Sequence, residues 1–277
     1  MRTFLGILGL LLLFSLWNVL SVLPIAIPVH PFAATVWMPL VAAAFLWMHG
    51  FRGRGVARMR RLAKARLRRP GPGAGRVLAA AVPLLTAQLA LLVMMMYLGV
   101  ESPDTTFLEE YARRPWGWLP LVVGAVVLAP VTEEVAFRGW MQRRLESSWG
   151  VRAAVVGSAA LFALAHAQTV GLPNRFVFGL AAGFLVVRTG SVWLGMALHA
   201  ANNLLISLLA GVSGSGADDA AVVAWVRAHG GLPLLVVVAA VTLLASWWIL
   251  RRVPGRGAPR DGSAGGGPPP LPRPVAV

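Results

Sequence analysis

Long apolar segments recur along the whole chain and are separated by short polar stretches. A helix of about 20 apolar residues crosses a hydrocarbon core of roughly 30 Å, and all but one of the apolar segments are near this length. The segments cover residues 3–23, 31–49, 77–99, 117–141, 153–171, 174–188, 190–211 and 232–250. The pattern predicts an all-α fold, a polytopic transmembrane bundle of about eight helices. No convincing small-x-small cleavage site follows the first segment, so we expect it to be retained as a helix.

Basic residues set the expected orientation of this bundle. The formal net charge is +15, and the ionisable residues in the loop 52–76 are all basic. The positive-inside rule therefore places this loop in the cytoplasm, and eight helices then place both termini there too. We expect the loop to contact anionic lipid and no nucleic acid. Residues 1–253 form the predicted membrane domain, and the Pro/Gly-rich tail 254–277 is expected to be disordered and cytoplasmic.

Composition narrows the chemistry that the chain can perform. Hydrophobic residues make up 57% of it and charged residues 13%, with a mean hydropathy of +0.72, which argues against a soluble enzyme. The absence of cysteine excludes disulfides, thiolate metal sites and cysteine nucleophiles. The strong preference for arginine over lysine favours a bacterium with a GC-rich genome, and hence its inner membrane.

A few acidic and histidine side chains fall well inside apolar segments, where each is a hypothesis for a functional site. They are Glu133, Glu134, His166 and His199. At 1.5 Å rise per residue, all of them reach one layer on the cytoplasmic side of the midplane, although they belong to three separate helices.

The spacing within each helix adds partners to this layer, because residues four apart share a helix face. Glu134 shares a face with Arg138, Phe162 with His166, and His199 with Asn203. Glu133 points about 100° away from Glu134, so one carboxylate can face a cavity while the other pairs with arginine. The spacing alone leaves open which glutamate would be the base.

Other interpretations of the same residues are possible. Glu133 and Glu134 could lie in the first turn of a helix that begins after Pro130, and buried histidines often only bond neighbouring helices. The polar layer could also form a binding site in an immunity or scaffold protein, or a transporter site. The string Gly211-Val212-Ser213-Gly214 also matches the Gly-x-Ser-Gly of rhomboid-type serine proteases.

Three ordered motifs resemble those of the CAAX protease and bacteriocin-processing family of intramembrane proteases, also called the abortive-infection family. They are Glu133-Glu134-Val135-Ala136-Phe137-Arg138-Gly139, Phe162-x-x-x-His166 and His199-x-x-x-Asn203. The resemblance covers residues 117–211 and implies an intramembrane endopeptidase that hydrolyses a peptide bond in a peptide or protein substrate. A catalytically silent member, acting in binding, immunity or as a scaffold, is the alternative.

The resemblance also implies a role for each motif residue. Glu133 and His166 would activate water, while His199 and Asn203 would stabilise the oxyanion. Glu134 and Arg138 would support them, and Phe162 would set the pose of His166. If a divalent metal such as zinc is bound, Glu133, His166 and His199 would be its ligands. A metal-free mechanism uses the same residues, and we expect no tightly bound metal.

Overall fold

The chain is all-helical in the part that the structure describes. This computed structural model describes residues 2–27, 29–54, 57, 62, 65–67, 73–100, 106–166, 169–213 and 219–255. These residues form ten helices and no strand. The predicted all-α class is therefore confirmed.

Each of the eight apolar segments corresponds to one helix of the structure. In chain order the ten are α1 Arg2–Ala26, α2 Pro31–Leu46, α3 Ala74–Tyr97, α4 Thr106–Arg113, α5 Trp118–Trp149, α6 Val151–Leu164, α7 Leu172–Thr189, α8 Trp193–Ser213, α9 Asp219–Ala228 and α10 Gly231–Leu250. The predicted number of eight was too low because α4 and α9 are short and carry polar residues, so neither produces a long apolar run.

One helix extends beyond its apolar segment, and one predicted boundary was wrong. Helix α5 continues eight residues beyond 141, because its last part, Gln142–Trp149, is polar but still helical. Helix α6 ends at Leu164 rather than at 171, and His166 lies in the turn that follows it. Pro173 stands in the first turn of α7, where its missing N–H costs nothing, whereas it would break a continued α6.

Four described helices are long and apolar enough to cross a membrane: Thr3–Ala26, Ala74–Tyr97, Trp118–Trp149 and Gly231–Leu250. Helices α2 and α6 are apolar but shorter. Large exposed side chains such as Leu12 on α1 and Leu244 on α10 are apolar, as expected for helix faces in contact with lipid. These features are those of a multi-pass membrane protein. The orientation of its termini stays a prediction, and the predicted disordered tail lies, from residue 256 on, outside the described residues.

Helix α5 runs through the middle of the bundle. Phe137 on α5, Phe162 on α6 and Phe178 on α7 belong to one buried cluster that also includes residues of α3 and α8. Helix α3 packs along α10, and residues of both helices belong to the same cluster. The core therefore surrounds the part of α5 that carries the two glutamates.

Two segments of α5 are π-helical, namely Gly124–Leu128 and Val135–Met141. Such wider turns within α-helices are frequent at functional sites. They flank the short stretch Ala129–Glu134, which contains both glutamates. Both carboxylates thus lie well inside a 32-residue helix, which is inconsistent with the interpretation that they begin a helix after Pro130.

Candidate active site

Helices α5 and α8 and the turn after α6 bring the predicted glutamate and histidines together. The Oε2 atom of Glu133 lies 3.8 Å from Nε2 of His166 and 3.9 Å from Nε2 of His199. Glu133 is 8% exposed, and no described group forms a hydrogen bond to this Oε2 atom. The structure thus brings the three predicted side chains together around an unpartnered carboxylate oxygen, and their depth in the membrane stays a prediction.

Glu134 points the other way and is buried completely, as is Arg138. Its Oε1 atom lies 3.0 Å from Arg138 Nη1 and 3.2 Å from His199 Nδ1. The predicted pairing of Glu134 with Arg138 is confirmed. Because Glu134 contacts both Arg138 and His199, it also holds the imidazole of His199 in place.

Aromatic rings hold the two histidines. The Phe162 ring centroid lies 4.8 Å from that of His166 and 5.8 Å from that of His199, and Phe178 lies 4.7 Å from His199. The guanidinium carbon of Arg138 lies 4.3 Å from the Phe162 centroid. Phe162 therefore contacts both histidines and Arg138, a wider role than the packing against His166 that the resemblance implies.

The nearest acceptors indicate which nitrogen of each histidine carries a proton. His166 Nδ1 lies 2.8 Å from the carbonyl oxygen of Phe162, which can only accept, so Nδ1–H donates and Nε2 of the neutral ring is an acceptor. His199 Nδ1 faces the Glu134 carboxylate, so it donates as well. Nε2 of His199 then carries a proton only when the ring is doubly protonated.

The side chain of Asn203 is hydrogen-bonded to a backbone carbonyl of α5. Its Nδ2 donates a 2.7 Å hydrogen bond to Ala125 O. In the π-helical segment, Ala129 N–H donates to Gly124 O, and the next residue, Pro130, has no N–H. Ala125 O therefore lacks its donor within the helix, and the side chain of Asn203 supplies one.

A polar cavity of about 340 Å³ connects these side chains. Predicted site residues in its wall are Glu133, Phe162, His166, His199 and Asn203. The wall also contains polar residues that the sequence did not single out as catalytic: Gln88, Asn174, Arg175, Asn202 and Ser207. Gln88 is a lone buried polar residue in an apolar α3, and that signal could have identified it.

Part of the basic loop packs into the protein. Ala65, Arg66 and Leu67 are buried, and Arg66 forms an ion pair with Glu146. A Cβ atom added to Gly139 would lie 2.8 Å from Ala65 O, so this close approach requires glycine. The predicted contact of the loop with anionic lipid is untested, but these three residues serve as packing residues.

The described residues do not fit a metal site. No three His, Asp or Glu side chains in the described ranges form a group that could hold a metal ion. In the rhomboid-like string, Gly214 lies outside the described residues, and the side chain of Ser213 is not described. His229, which follows that string, stacks on Trp225 at an exposed position.

The fold and the site define a class, a multi-pass helical membrane protein with a buried glutamate between two histidines. Residues 115–205 match the family model described as Rce1-like: Type II CAAX prenyl endopeptidase Rce1-like. This match confirms the resemblance to the CAAX protease and bacteriocin-processing family, which is a family of proteases. No curated protein and no solved structure matches the chain.

Proposed function

We propose that this protein is an intramembrane endopeptidase that uses water activated by Glu133 and His166. The observation that carries the proposal is the position of Glu133 Oε2, which has no described hydrogen-bond partner and lies within 4 Å of two histidine nitrogens. A carboxylate oxygen without a hydrogen-bond partner at the wall of a polar cavity can accept a proton from water and so act as a general base. The family match to a protease supports the same chemistry.

The two histidines are suited to different steps. The acceptor Nε2 of neutral His166 can orient a water molecule whose proton passes to Glu133 Oε2, and the water oxygen then attacks the substrate carbonyl carbon. Doubly protonated His199 presents Nε2–H, which together with the amide of Asn203 would stabilise the negative charge that develops on the carbonyl oxygen. When the intermediate collapses, the proton held by Glu133 passes to the leaving amine.

Glu134 and Arg138 would act through His199 rather than on the substrate. The Glu134 carboxylate accepts from His199 Nδ1–H and fixes the orientation of the ring, while Arg138 pairs with Glu134 in this buried region. The charges of Glu134 and Arg138 then sum to zero. This balance makes the burial of the two charged groups tolerable.

The substrate would be a peptide or protein that reaches the site from the membrane or from its cytoplasmic side. A second cavity, of about 440 Å³, lies between α1, α2 and α5 and also reaches Glu133. Its wall includes Val22, Ile25, Met38 and Leu121, so an apolar substrate segment could lie there with its scissile bond near Glu133. We place the protein in a bacterial inner membrane.

Cleavage of a quenched peptide library by the purified, detergent-solubilised protein tests this proposal. Glu133→Gln should abolish cleavage while the protein stays folded, because Oε2 of Glu133 makes no described hydrogen bond whose loss would destabilise it. Glu110→Gln, which changes an exposed glutamate on α4, is the matched control and should leave cleavage unchanged.

A chelator arm tests the expectation that no metal takes part. Activity that survives the chelator supports the metal-free mechanism, while loss of activity that zinc restores would contradict it and favour Glu133, His166 and His199 as zinc ligands. A folded wild type that cleaves no peptide would favour a silent binding or immunity protein instead.

A further inference from the structure

Two consecutive asparagines of α8 lie on the same side as His199. Asn202 and Asn203 follow His199 by three and four residues, and positions three and four apart share a helix face. Both line the polar cavity that contains Glu133. Asn203 already donates to Ala125 O, whereas among the described residues no acceptor is assigned to Nδ2 of Asn202.

A residue on another helix fixes the orientation of the Asn202 amide. Gln88 Nε2 donates to Leu84 O at 3.3 Å and to Asn202 Oδ1 at 2.7 Å. Because a backbone carbonyl only accepts, the amide end that faces Leu84 must be the nitrogen of Gln88. The same nitrogen faces Asn202, so the Asn202 atom opposite it is the oxygen, and Nδ2 becomes the donor available to the cavity.

Both amides are well shielded. Gln88 is 4% exposed and Asn202 also 4% exposed. A hydrogen bond between buried neutral groups is held firmly, because an amide that turns away leaves a buried donor and a buried acceptor unpaired. The donor of Asn202 is therefore preorganised before a substrate arrives.

We propose that Asn202 is a further oxyanion donor and that Gln88 is the positioning residue that aims its Nδ2 into the cavity. This inference rests on the proposed peptidase function. A developing negative charge on the substrate carbonyl oxygen would then accept from Asn202 Nδ2 in addition to His199 and Asn203. Gln88 lies outside residues 115–205, so the site extends to α3, beyond the region that matches the family.

Steady-state kinetics with a peptide that the wild type cleaves test the role of Asn202. Asn202→Asp keeps the shape and can still accept from Gln88 but cannot donate, and Asn202→Ala removes the side chain. We expect kcat to fall about 100-fold to 1000-fold in both, as for other oxyanion donors, with KM changed less than about threefold. Thr242→Ala, which removes a hydroxyl bonded to Val238 O on α10, is the control and should keep kcat.

A double-variant comparison tests the positioning role of Gln88. Gln88→Met alone should lower kcat less than Asn202→Ala does, since the Asn202 amide can still sample the right orientation. In the Asn202→Ala background, Gln88→Met should lower kcat no further, because the group that it aims is gone. A purely structural role of Gln88 would lower kcat by the same factor in both backgrounds.

The outcomes separate this inference from the proposed function. If the wild type cleaves peptides and Glu133→Gln does not, but Asn202→Asp and Asn202→Ala retain wild-type kcat, the role of Asn202 is wrong and the peptidase stands. The role of Asn202 would also be wrong if both Asn202 variants lost activity only because they unfold, that is, if the loss of kcat matched the fraction of unfolded protein. If the folded wild type cleaves nothing, both the function and this inference are wrong.

Discussion

The buried pair of Glu134 and Arg138 allows a quantitative prediction of stability. Both side chains are completely buried, their charged atoms lie 3.0 Å apart, and the Arg138 guanidinium also lies over the Phe162 ring. Glu134→Gln keeps the shape of the side chain but removes its charge, so the Arg138 charge loses its main partner in the protein interior. Removing one partner of a buried ion pair costs about 3–5 kcal/mol of folding free energy.

Removing both charges should cost less than removing one. In the double variant Glu134→Gln/Arg138→Met no unpaired charge remains, and replacing a whole buried pair by neutral groups is often close to neutral. The double variant should therefore be more stable than Glu134→Gln alone. A double variant that is more stable than the single variant indicates charge compensation, because loss of packing alone would make the double variant the less stable of the two.

Thermal unfolding of the purified variants in one detergent measures both effects. For Glu134→Gln the loss corresponds to a decrease in melting temperature of roughly 6–20 °C, at about 2–4 °C for each kcal/mol. Glu110→Gln is the control for the removal of an exposed carboxylate. The reasoning would be refuted by a Glu134→Gln variant that melts with the wild type, or by a double variant less stable than Glu134→Gln.

Two further substitutions test the packing around the site. Phe162→Leu should lower both melting temperature and kcat, because the ring contacts His166 and Arg138; an unchanged kcat in the folded variant would contradict this role. Gly139→Val should displace the segment at Ala65, whose carbonyl oxygen lies 2.8 Å from the added Cβ, and limited proteolysis should then cut the loop 52–76 faster than in the wild type. An unchanged rate of cutting would show that the segment is not held there.

Much of the site could be predicted from the sequence because its residues obey regular helical geometry within apolar segments. Glu134 and Arg138 are four residues apart and do form an ion pair. Glu133 faces the cavity instead, since it stands about 100° away around the helix. The helical rise of 1.5 Å per residue predicted one common layer for Glu133 and His166, and the structure brings atoms of their side chains within 3.8 Å of each other.

Features that depend on loops and on other helices could not be predicted in this way. Helix α6 ends at Leu164, so His166 is held by a hydrogen bond to Phe162 O, a carbonyl in the last turn of that helix. The burial of Ala65 depends on its fit against Gly139, and charge patterns carry no information about such a fit. Gln88 joins the site only because α3 packs against α8.

The position of Asn203 shows how a local irregularity determines the geometry of the site. Regular 3.6-residue spacing places Asn203 on the His199 face but does not say which group it bonds. In the π-helical register the donor to Ala125 O would be the N–H of residue 130, but Pro130 has none. Ala125 O therefore accepts from the Asn203 side chain instead. A single proline thus creates the acceptor that ties α8 to α5 beside Glu133. Because that acceptor arises from a departure from regular helix geometry, no regular spacing rule could have located it.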